Sequence, residues 1–256
     1  MHSAFHSTMA LGGATARDLV RRPGLVVGGI ALVALLGPLP RLGNPAASSA
    51  DNGALAVELA LASLGIAASL GAGFAGIRVT TDAEGASSAE FLASPLSATT
   101  YLVGRTLGIA AVVGAGLVAV LGLTGMVWAT MGSFPRIESP LAVLLGAFGI
   151  WVSAAAFAAV GMLLGAWAPA RLAGVLLVSL LALSRVLPLP QGASFGLADI
   201  LGAVLPPASR LEFAREIGFG RDISMLGVVL GAIAATCTAA AALLAAARRV
   251  ERRESA

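Results

Sequence analysis

The residues able to carry chemistry in this 256-residue chain are few, and their types exclude more than they suggest. There are two histidines, His2 and His6, and one cysteine, Cys237. All sixteen basic residues are arginine, so the chain has no lysine. A phosphate-binding P-loop needs a lysine on the β/γ-phosphates, and Schiff-base chemistry needs a lysine amine. This chain supplies neither. A disulfide within it is impossible with a single cysteine. Cys237 is read as a small residue packed against a neighbouring helix. Both histidines sit near the N-terminus, outside every apolar run, so imidazole ligation of a metal inside a bilayer is not expected. Met126 and Met131 are read as packing residues rather than a copper site. No Ser/His/Asp set and no paired carboxylates in a catalytic frame can be assembled. The chain is not expected to be an enzyme, nor to bind a metal or cofactor itself.

The elements around these residues are apolar. The composition is 58% hydrophobic and 11% charged, against roughly 25% charged in soluble domains, and the mean hydropathy is +0.93. Residues 23–40, 59–77, 106–135, 139–170, 172–184 and 223–247 contain no Asp, Glu, Lys or Arg. Since about 20 apolar residues cross a hydrocarbon core of roughly 30 Å, six helical spans are expected. They are placed at about 25–42, 54–77, 101–128, 140–168, 171–190 and 223–247. The first also resembles a signal peptide, but Gly37-Pro38-Leu39-Pro40-Arg41 is a poor cleavage region. It is therefore kept as a span. The fold class expected is an all-α membrane protein with one transmembrane domain over residues 1–256.

Arginine placement sets the orientation. With the N-terminus inside, ten arginines fall on the cytoplasmic side: Arg17, Arg21, Arg22, Arg78, Arg105, Arg171, Arg248, Arg249, Arg252 and Arg253. Six fall outside: Arg41, Arg136, Arg185, Arg210, Arg215 and Arg221. Both termini are expected in the cytoplasm. Glu58 and Arg185 lie near the outer face, where long side chains snorkel to water. No carboxylate or histidine falls at mid-membrane, which argues against a proton-coupled carrier. Glycines at 104 and 108, and at 161 and 165, have the spacing that lets helices approach closely in lipid. The arginine-only, Ala- and Gly-rich composition is that of a GC-rich genome, and a bacterial cytoplasmic membrane is the expected location.

Short amphipathic helices are expected in three polar segments. The first is the N-terminal stretch 7–24, carrying Arg17, Asp18, Arg21 and Arg22, as an interfacial helix. The second is the cytoplasmic loop 78–97, where residues 87–93 form a turn or two ended by Pro95, and Ser97 and Thr99 cap the following helix. The third is the external segment 191–222, where Ser209-Arg210-Leu211-Glu212 fits a capping box. There Leu211, Ala214 and Ile217 form an apolar face and Gly218 and Gly220 end the helix.

The loop phrases carry a family resemblance. Glu84-Gly85 precedes Phe91-Leu92-Ala93-Ser94-Pro95-Leu96-Ser97, and Tyr101-Leu102-Val103-Gly104-Arg105-Thr106-Leu107-Gly108 follows. Before the last span stands Leu205-Pro206-Pro207-Ala208-Ser209-Arg210-Leu211. With the six-span layout, this resembles the transmembrane permease subunit of type-2 ABC transporters, in the branch associated with maturation of multicopper enzymes. Gly85 lies about one residue further from Pro95 than in that pattern, so the acidic partner of the phrase is either Glu84 or Glu90.

The resemblance implies a partner ATPase in the cytoplasm that binds ATP and Mg. It implies coupling through Asp82, Glu84, Gly85, Glu90, Phe91, Leu92 and Pro95, with a second contact at the N-terminal helix. It also implies a second permease chain, identical or paralogous, export as the direction, and no nucleic-acid partner. The competing expectation is a membrane accessory protein that assembles a complex without transport. A lipid-acting membrane enzyme is disfavoured by the lack of His, Asp or Lys groups in the spans.

Overall fold

The computed structural model describes residues 2–39, 49–85, 97–131, 140–186, 213–221 and 223–254. Among these, the chain forms eight helices and no strand. They are α1 (His2–Val20), α2 (Pro23–Leu36), α3 (Ser49–Gly85), α4 (Ala98–Thr130), α5 (Pro140–Trp167), α6 (Ala170–Val186), α7 (Ala214–Gly218) and α8 (Met225–Glu254). Four contain stretches long and apolar enough to cross a membrane: Asn52–Thr81, Ala98–Thr130, Leu141–Trp167 and Met225–Arg252. The multi-pass, all-helical expectation is met at that level. The first and fifth expected spans are shorter. At 1.5 Å per residue, the 14 residues of α2 and the 17 of α6 reach about 21 and about 25 Å. Residues 40–42 and 187–190, where those two spans were expected to end, lie outside the described residues.

Prolines punctuate the chain where a missing N–H costs nothing. Pro23 and Pro140 open α2 and α5, and the Pro169 carbonyl accepts the Ala173 amide at 3.0 Å as α6 begins. Ser97 caps α4 as expected, its hydroxyl accepting the Thr100 amide at 3.2 Å. Thr99 instead sits inside the helix.

The bundle is built around α5, whose apolar window is 56% buried against 28% for α8. Small residues make its closest contact. Gly161 meets the backbone of Gly73, Gly165 meets Ile77 and Thr80, and Gly76 meets Ala158 and Met162. A Cβ built on Gly76 would lie 3.0 Å from the Met162 nitrogen. With no hydrophobic effect between helices in lipid, such backbone approach is the main source of attraction.

These pairings run in register, so α3 and α5 point the same way. Helix α4 runs against α5: Trp151 donates to the Ala110 carbonyl at 2.7 Å, and Thr106 donates to the Met162 sulfur at 3.5 Å. Gly29 meets Val120 and Gly37 meets Val127, so α2 runs with α4. Gly73 and Gly174 meet Leu177 and Phe74, so α6 runs against α3. Ala235 packs with Ala156, and Arg249 stacks on Trp167 with 5.1 Å to the ring centroid, so α8 runs with α5. Direction thus alternates through α2, α3, α4, α5, α6 and α8.

Two expectations are corrected. Cys237 is exposed on α8, and Met126 faces out of α4 at 67% exposure. Both lie on helix faces that point away from the bundle, where large apolar side chains meet the surroundings. The last amphipathic helix turns its expected apolar face inward. In α7, Ile217 is buried in a cluster with Leu36, Val57 and Trp128, and Gly218 packs on Ala54. A glycine cap closes α7: Arg221 donates to the Glu216 carbonyl at 2.7 Å and Gly220 to Ile217, with Gly220 at φ 63°. The capping box at 209–212 lies outside the described residues.

Candidate functional site

Alternating direction gathers the arginine ends of the helices. The start of α2, the end of α3, the start of α4, the end of α5 and the end of α8 share one end of the bundle. Arg22, Arg78, Arg105 and Arg249 therefore lie at that end, and Arg171 opens α6 there. Helix α1 docks on the first turns of α4 at this same end. Leu11 and the Thr8 carbonyl meet Gly104, while Gly12 and Thr15 meet Gly108. A Cβ on Gly104 would lie 2.9 Å from the Leu11 Cβ. The glycine pair at 104 and 108 is thus a seat for the N-terminal helix, not a contact between two spans.

Between α1, α3 and α4 is a cavity of about 150 Å³. It is lined by Thr15, Asp18, Leu19, Arg22, Ala75, Arg78, Val79, Arg105 and Ile109. Asp18 and Arg22 form an ion pair of 2.9 Å one helical turn apart. Arg105 is half-buried; its Nη1 donates to the Thr15 hydroxyl at 3.2 Å, and its guanidinium lies 5.0 Å from the centre of the Tyr101 ring. Thr15 passes its own proton to the Leu11 carbonyl at 2.8 Å. The Arg105 Nε is buried and has no hydrogen-bond acceptor among the described residues. Arg78 is exposed at the rim. Three guanidiniums against one carboxylate leave two net positive charges around a small cavity.

Of the four N-terminal residues expected at an interface, Asp18 and Arg22 line this cavity. Arg17 and Arg21 are exposed and do not. Helix α3 continues past the expected end of its span at 77, so Asp82 and Glu84 fall in its last turn and Gly85 is its last residue. Glu90, Phe91, Leu92 and Pro95 lie outside the described residues, as does the helix expected at 87–93. Arg78, Arg105 and Thr15 were not singled out from the sequence as one site. A signal was present: Arg78 and Arg105 each border an apolar run, in consecutive spans of opposite direction, so they must lie at similar depth. No group of three or more His, Cys, Asp or Glu residues able to hold a metal occurs among the described residues. No protein-family model and no curated protein matches the chain.

Proposed function

We propose that the chain is the membrane-spanning permease subunit of an ATP-driven ABC transporter, an exporter working with a separate cytoplasmic ATPase. Six spans with both termini inside are part of this reading. The alternating direction of α2 to α6 and α8 supports the six spans, and the arginines at one end support the orientation. The observation that carries the proposal is the construction of that end. An amphipathic N-terminal helix is seated by backbone contact on the start of α4. Beside it α3 extends beyond its apolar window to Gly85, and only residues 86–97 separate it from α4. The end of α3 and the docked α1 lie side by side at the start of α4, where a partner's motion would pass into α3 and α4. ATP and Mg belong to the partner, and a second permease chain completes the pathway.

The test is purification of the tagged chain from native membranes in mild detergent, with partners identified by mass spectrometry. A P-loop ATPase is expected with the intact chain and lost when residues 82–97 become a Gly/Ser linker. Recovery of the chain without any ATPase in several detergents would replace this reading with that of a non-transporting accessory protein.

A further inference from the structure

We infer that the cavity between α1, α3 and α4 binds the phosphate of an anionic phospholipid headgroup, which pins the N-terminal helix to the bundle. This rests on the membrane placement of the bundle and not on the ATPase partner. A half-buried guanidinium with an orphaned N–H is costly unless an acceptor meets it, and Arg105 is such a group: among the described residues it donates only to the neutral Thr15 hydroxyl. Arg78 on the facing helix adds a second charge without a carboxylate partner among the described residues. A phosphoryl group presents several acceptor oxygens to such forks. At about 30 Å³ per water in the liquid, 150 Å³ admits roughly five water-sized groups. That is room for one phosphate with its oxygens.

The walls favour a lipid over a free ion. Leu19, Val79 and Ile109 line the same cavity as the arginines. The chain leaves Arg22 directly into α2, whose Val27 and Ile30 are more than 60% exposed. A headgroup in the cavity would have its acyl chains beside that apolar face. Asp18 opposes the anion but is already engaged with Arg22.

The test is native mass spectrometry of the full chain in detergent, titrated with dioleoyl-phosphatidylglycerol, with dioleoyl-phosphatidylcholine, and with inorganic phosphate. One tightly held phosphatidylglycerol is expected. Arg78→Gln and Arg105→Gln should each weaken it about five-fold, while Arg252→Gln at the exposed end of α8 leaves it unchanged. Asp18→Asn should strengthen it, because removing the carboxylate frees Arg22. Arg78 is exposed, so its variant should keep the wild-type melting temperature. Wild-type affinity in Arg78→Gln, or equal retention of phosphatidylcholine, would overturn the site. Arginine-dependent binding of phosphate without phosphatidylglycerol would overturn the lipid as its source. The readout contains no ATPase, so it fails or succeeds independently of the permease reading.

Discussion

Side-chain size at single positions decides how this bundle holds together. Gly71 and Gly76 sit on the same helix five residues apart, yet nothing lies within 4 Å of a Cβ built on Gly71, whereas one on Gly76 would strike Ala158 and Met162. Gly76→Ala should therefore destabilise the protein by about 1–3 kcal/mol through overpacking. Gly71→Ala should be neutral or stabilising by up to about 1 kcal/mol, from helix propensity alone. Thermal unfolding in detergent separates the two, and equal melting temperatures would contradict the crossing of α3 and α5. The spacing of small residues at 104 and 108 and at 161 and 165 was legible in the sequence. Their partners were not, because a GxxxG spacing names one face of a contact and leaves the other open. Arg105 illustrates the same limit. Its position at the border of an apolar run was readable, but the hydroxyl of Thr15, ninety residues away, was not.

Among the elements, α1 depends most on its seat. Thr15 is only 3% exposed beneath the contact with Gly108. In a Cys237→Ser background, Thr15→Cys should be shielded from a water-soluble maleimide, and adding Gly108→Leu should expose it. Labelling of Thr15→Cys without the second change would contradict the docked helix. At the other end α2 is tied to α4 by the Trp128 indole, which donates to the Leu36 carbonyl at 3.2 Å. Trp128→Phe should lower stability by about 0.5–1.5 kcal/mol, the net worth of one hydrogen bond, measured by the same unfolding assay. Helix starts were easier to read than helix ends. Prolines and Ser97 mark starts through fixed φ or a side-chain acceptor. Hydropathy marks where a helix leaves an apolar medium, not where its hydrogen bonds stop. That is why α3 runs on to Gly85 and α8 to Glu254.

For the molecule as a whole, the proposed arrangement places both termini on the cytoplasmic side. Reactive cysteines in the Cys237→Ser background test it. Phe219→Cys, on the exposed turn after α7, should be labelled in intact cells by a membrane-impermeant reagent. Arg17→Cys and Arg252→Cys should react only after the membrane is opened. Labelling of all three from outside would contradict the proposed topology. The membrane class and the all-helical fold were legible from run lengths alone, because charge is excluded wherever lipid must be crossed. The arginine-lined cavity was not, since it is assembled from three helices that only tertiary packing brings together.

The proposed function requires this bundle to couple to ATP hydrolysis in a separate subunit. The direct measurement is ATP turnover by the co-purified ATPase in liposomes, with the intact chain, with the chain bearing a Gly/Ser linker at 82–97, and without the chain. Coupling predicts that turnover changes when the intact chain is present and returns to the uncoupled value with the linker. The same rate in all three preparations would contradict it.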